Sequence, residues 1–316
     1  MTLAYLLRRL GAIAIVMAIV TLAVFSITMI LPGNAALMIL GEHASADSLL
    51  ALERQLGLDR PIWEQYLDWV WGVLHGDFGM SLRLSLPVSQ VVGSAFWNSA
   101  WLALIALTAV TIVAIPLGAL AALKRGSVWD LGIGLFSYVG TAMPEFVTAT
   151  LLLILLASPE WPILPAGGFV APSGNLGGFI YHVILPASTL GLILMAHISR
   201  QVRSEMAEVL SSDYVRAARL KGLRGRRVVW RHALPNALAP AVAVISLDIG
   251  YLLGGIIVVE EIFAWPGLGR TLIYALQNRD LPVIQAITLL LAVVYALSNL
   301  LADLVIAWLD PRVRHA

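Results

Sequence analysis

Residues 199–236 read SRQVRSEMAEVLSSDYVRAARLKGLRGRRVVWRHALPN, and this polar island decides the fold because long apolar runs flank it on both sides. It holds nine of the chain's twenty Lys and Arg residues. Around it, the 316-residue chain is 59% hydrophobic and 12% charged. Soluble domains carry about 25% charged residues, so an all-α polytopic membrane protein is the class that fits. The chain contains no cysteine, which excludes disulfides and thiolate metal sites. A net charge of +1 gives no argument for nucleic acid as a partner.

A helix needs about 20 apolar residues to cross ~30 Å of hydrocarbon. Six stretches qualify, at Leu10–Leu31, Trp97–Leu123, Leu131–Ala157, Ile180–Ile198, Ala237–Val259 and Val283–Leu309. The fourth is the weakest, with His182 and Pro186 interrupting its first half. Arg8 and Arg9 precede the first run as in a secretion leader, but the run exceeds the about 7–15 apolar residues of such a leader. It is therefore expected to stay as the first span. With six spans, fifteen basic residues fall on the side of both termini and the island, and five on the other. The positive-inside rule then places both termini in the cytoplasm.

Three regions follow: 1–31 with the first span, an extracytoplasmic segment 32–95, and a core 96–316 containing the loop 200–235. The outside segment is long enough to need structure of its own. Leu49–Leu56 reads as a short amphipathic helix. Pro61 then opens a second helix, Ile62–Leu74, whose Trp63, Tyr66, Trp69 and Trp71 suit a membrane interface.

Within the island, Ser211, Ser212 and Asp213 are able to cap a helix start. Tyr214–Lys221 is a short helical run, and Gly222 offers the left-handed conformation that ends it. Paired alanines beside a glycine make a small, smooth knob that enters a groove with little loss of side-chain entropy. The flanking arginines suit carboxylates or lipid phosphates.

This loop resembles the signature of bacterial ABC-importer permeases: Glu-Ala-Ala, three residues, Gly, nine residues, Ile, one residue, Leu-Pro. Ala217, Ala218, Gly222, Leu234 and Pro235 are in register. Arg216 stands where the pattern has Glu, and His232 where it has Ile. The resemblance narrows to the first-subunit type of the dipeptide, oligopeptide and nickel permeases. It rests on Leu56-Gly57-Leu58-Asp59-Arg60-Pro61, Gly76-Asp77-Phe78-Gly79-Met80-Ser81, the run from Glu260 to Arg270, Asn278-Arg279-Asp280-Leu281-Pro282-Val283, and the ending Leu309-Asp310-Pro311-Arg312.

The resemblance implies a type I ABC-importer permease fold in the bacterial inner membrane. It implies a pore shared with a second homologous permease, two ATPase subunits, and an extracytoplasmic substrate-binding protein. Tyr214, Arg216, Ala217, Ala218, Lys221, Gly222, Leu234 and Pro235 would couple to the ATPases. Short peptides are the expected cargo, with nickel chelates, glutathione or haem as alternatives. ATP and Mg would sit on the partner subunits, because no Gly-x-x-x-x-Gly-Lys-Ser/Thr loop occurs here. The chain is thus expected not to be an enzyme and to hold no cofactor or metal.

Glu145 follows Pro144 within the third apolar stretch, and Asp248 lies in the fifth. Intramembrane carboxylates face a wet path or bond across helices; both readings stand for these two. Glu260, Phe263 and Trp265 read as an outer gate, a binding-protein contact or an interfacial anchor. An ion-coupled secondary transporter is the rival class, but no inverted repeat is visible. An intramembrane zinc protease lacks its His-Glu-x-x-His.

Overall fold

The computed structural model describes residues 3–30, 45–55 and 59–309. Residues 56–58 and the ending from Asp310, both used in the resemblance, lie outside them. Apolar runs without enough charge to break them become long helices: α1 (Leu3–Ile30), α4 (Val88–Leu123), α7 (Leu176–Leu210), α10 (Leu234–Ile262) and α12 (Leu281–Leu309). The third apolar stretch departs from the single span expected. It forms two helices, α5 (Val128–Ala142) and α6 (Glu145–Leu156), bent by 112° across a short break. Pro144 supplies the reason: it cannot donate a helical hydrogen bond, and it pushes Met143 into an extended conformation, φ −88° and ψ 124°. The fourth stretch is stronger than expected, for α7 runs unbroken through a buried Pro186.

The chain divides into two compact units. One comprises residues 3–98 with 267–296. In it α2 (Ala46–Gln55) and α3 (Ile62–Leu74) lie between the first two long helices, α3 at the predicted bounds and α2 beginning three residues earlier than predicted. Tyr66 and Trp69 of α3 pack on Phe25 of α1, with ring centroids 5.4 and 5.7 Å away. Trp63 and Trp71 stay exposed. The start of α4 packs with α11 (Leu268–Gln277) and α12 through Val88, Val92, Leu268, Ala275 and Ile287.

The other unit comprises residues 99–266 with those from 297 onward. Here α7 is the central post, in contact with α5, α6 and α10. The approach of α4 to α7 is close because Gly118 faces Ser199 and Val202; a Cβ there would lie 2.5 Å from the Ser199 carbonyl oxygen. Between α6 and α7 the chain makes a two-residue strand pair, β1 (Ala157–Ser158) with β2 (Trp161–Pro162), which the sequence did not signal. The island folds as α8 (Asp213–Leu220), a one-turn α9 (Gly225–Val228), a π-helical turn (Val229–Ala233) and then α10.

Candidate functional site

The island brings two sequence elements together around one tyrosine. α8 begins and ends one residue before the predicted run Tyr214–Lys221, and Gly222 adopts φ +75° just past its end. The cap differs from expectation. Ser212 occupies the N-cap, but its hydroxyl donates back to the Val209 carbonyl at 2.6 Å, so no side chain caps α8. Val215 is buried and ties the helix down, while Tyr214, Arg216, Ala217 and Leu220 are exposed and Ala218 is half-buried. The smooth face with Ala217 and Leu220 is thus open to a partner.

Pro235 stands at the start of α10, next to its first residue Leu234. It falls one residue inside α10, which continues directly from the π turn. The π turn accommodates the proline by lengthening the preceding bond: the Leu234 amide donates to the Val229 carbonyl, five residues back. Leu234 itself is buried. One turn further, Asn236 Nδ2 donates to the His232 carbonyl at 2.7 Å and to the Tyr214 hydroxyl at 3.1 Å. α8 is therefore stapled to the head of α10, a helix 29 residues long.

A second polar group collects at the α5–α6 break. Glu145 is the first residue of α6 and is half-buried. Its carboxylate is near enough to the Tyr251 hydroxyl to act on it. Tyr251 is one turn beyond Asp248 on α10 and is half exposed. Asp248 is 5% exposed; its Oδ1 lies 3.4 Å from His197 Nδ1 on α7, and its Oδ2 has no hydrogen-bond partner among the described residues. Glu145 and Tyr251 are thus the accessible members of the group, and Asp248 stands behind them in a cross-helix bond. Sequence reasoning passed over Tyr251; the three-residue spacing from Asp248 was the available signal.

Glu260, Phe263 and Trp265 correct an expectation. Each is 0% exposed, so none is an exposed contact for a binding protein or an interfacial anchor. Ser99 donates to Glu260 Oε1 at 2.5 Å, which lets a carboxylate be buried. Trp265 packs edge-on against Phe169, with centroids 4.9 Å apart, and the Gly168 amide donates to the Phe263 carbonyl at 2.8 Å. These residues clamp the segment that follows the strand pair onto the end of α10. Sequence reasoning missed Ser99, Phe169 and Phe179, which lie far off in the chain and carry no motif.

Comparison with known proteins agrees with this architecture. Residues 114–315 match the family described as binding-protein-dependent transport system inner membrane component, and residues 2–112 match the N-terminal region of such components. The chain is 42% identical over 336 residues to the dipeptide transport system permease protein DppB of Escherichia coli, covering 98% of each. It is 38% identical to a putative peptide transport system permease protein of Brucella abortus, covering 99% of each. A probable peptide ABC transporter permease protein of Sinorhizobium fredii is 35% identical, with 98% of this chain and 99% of the relative covered. Among solved structures, the inward-facing MetNI methionine ABC transporter superposes with a TM-score of 0.56 at 14% identity, over 70% of this chain and 97% of that one. That likeness is one of fold. With both family regions matched almost end to end, the chain belongs to the inner-membrane permease components of binding-protein-dependent transport systems.

Proposed function

We propose that this chain forms half of the pore of an ATP-driven importer of short peptides. A second homologous permease supplies the other half. Two ATPase subunits take α8 into a groove, and a binding protein delivers the peptide from outside, with both termini of this chain in the cytoplasm. The observation that carries the coupling role is the staple between Tyr214 and Asn236, which fixes an exposed knob to the head of α10. Peptide as cargo is supported by the names of the relatives above.

The mechanism is alternating access. Closure of the ATPase dimer moves α8, and α10 moves with it. A ligand shifts such an equilibrium only by its differential affinity for the two states, so the knob must be held differently in each. Glu145 and Tyr251, at the helix break, are placed to meet a passing ammonium group.

The test is ATP-dependent uptake of a labelled dipeptide by vesicles holding the assembled transporter. Ala218→Glu and Gly222→Trp, which obstruct the groove-facing surface, are expected to abolish uptake while basal ATPase activity remains. Wild-type uptake in both variants would remove the coupling assignment. Uptake of a nickel chelate, glutathione or haem in place of the dipeptide would change the cargo alone.

A further inference from the structure

The residues proposed for coupling and for the path leave a different cavity unexplained. It lies between α5 and α7 and has a volume of about 490 Å³. Ser127, Leu131, Leu135, Tyr138, Arg200 and Arg203 are among its lining residues.

One end of the cavity is cationic. Arg203 is held by Asp130, with Nε to Oδ1 at 2.5 Å and Nη2 to Oδ2 at 2.9 Å. Arg200 is exposed and has no ion-pair partner among the described residues. Arg125, also exposed, is near enough to act on the charge of Asp130. Lys124 sits 5.4 Å over the ring of Trp129, one turn away. Arg203 and Arg125 thus act on the Asp130 carboxylate, and Arg200 is a further cation in the cavity lining. Ser127 adds an unused donor, for its Oγ is buried and has no hydrogen-bond partner among the described residues.

The other end is apolar. Leu131, Leu135 and Tyr138 follow one another at helical spacing along α5 and are 74%, 62% and 66% exposed. At 1.5 Å per residue this strip is about 10 Å long. The polarity of the cavity, cations at one end and an uncovered apolar stripe leading away, is that of a phospholipid seen from headgroup to chain. A free phosphate would leave the stripe bare, and an ammonium-bearing peptide would meet the cations unfavourably. Basic pockets between spans on the cytoplasmic side are a recognised setting for anionic headgroups.

We propose that this cavity holds the phosphate of an anionic phospholipid between Ser127, Arg125 and Arg200, with an acyl chain along Leu131, Leu135 and Tyr138. The assembled transporter, placed in nanodiscs of equal phosphatidylglycerol and phosphatidylcholine, is released and its retained lipids counted by native mass spectrometry. The wild type is expected to retain phosphatidylglycerol in preference. Arg200→Gln should lower that preference about fivefold, the value of one cation near a charged surface, and Arg125→Gln should do the same. Arg60→Gln, outside the island and not among the residues lining the cavity, should leave it unchanged. Because Arg125 and Arg200 are exposed, the variants are expected to assemble, and basal ATPase activity checks this. A photoreactive residue in place of Leu135 should capture lipid. The proposal is overturned by equal retention of the two lipids, by a preference untouched in both arginine variants, by displacement with inorganic phosphate alone, or by capture of a neighbouring polypeptide at position 135.

Discussion

Individual side chains settle how closely the helices approach and how the outer loops are held. Gly118 is the tightest case, since the Ser199 carbonyl and Val202 occupy the place a side chain would need. Gly118→Val forces α4 from α7, and overpacking of this kind costs about 1–3 kcal/mol. The expected outcome is a lower unfolding temperature of the purified chain; an unchanged value would mean the helices part freely. Asp280 performs the equivalent task for the other unit. It is 1% exposed and accepts the Ser81 hydroxyl together with the Leu82 amide at 3.1 Å. Ser81 in turn accepts the Leu84 amide at 2.9 Å. Asp280→Ala strands buried donors at about 1–3 kcal/mol each. Faster proteolysis between residues 81 and 87 is the expected readout, with Asp280→Asn intermediate because it keeps one acceptor oxygen. Resistance equal to wild type would show that the loop is anchored elsewhere. Both motifs were visible in the chain, but nothing local reveals that residues about two hundred positions apart share a hydrogen bond.

Elements were legible where the controlling chemistry is local. The knob α8 announces itself through its alanines and the glycine that follows, because helix termination is decided within a few residues. The apolar runs mark the long helices for the same reason. Pro186 misled because a proline penalty is a local quantity, whereas α7 is held by packing along much of its length. The bend at Pro144 was not legible, because the degree of bend depends on neighbours that a sequence does not display. The short helix of the island was legible, but the staple was not, since Tyr214 and Asn236 meet only after the π turn has set their phase. Tyr214→Phe and Asn236→Ala each remove the same contact. A double-mutant cycle read as the ratio of peptide transported to ATP hydrolysed should therefore be non-additive, with an interaction of about 1 kcal/mol. Independent, additive effects would mean that α8 and α10 are not joined through this pair.

At the scale of the whole molecule, a pore that opens alternately to two sides needs an element with two arrangements, and the α5–α6 pair is the candidate. Met143 and Pro144 interrupt a stretch that is otherwise apolar and long enough to cross the membrane as one helix. The polar group of Glu145, Tyr251, Asp248 and His197 gathers where the break frees backbone groups, as non-helical backbone at membrane depth requires. A proline inside a helix costs about 3 kcal/mol, so Pro144→Leu removes that bias and favours the straight form by about a hundredfold. The chain has no cysteine of its own, so Trp129→Cys and Leu155→Cys, both at exposed positions, give two unique sites for spin labels. In the bent pair these sites stand roughly 20 Å apart, and in a continuous helix almost 40 Å, from a rise of about 1.5 Å per residue. The expected result is a longer label separation in Pro144→Leu, together with loss of peptide uptake and retention of basal ATPase activity. A separation unchanged by the substitution would mean that packing on α7, not the proline, holds the bend; a lengthened separation with normal uptake would mean that transport does not use the break.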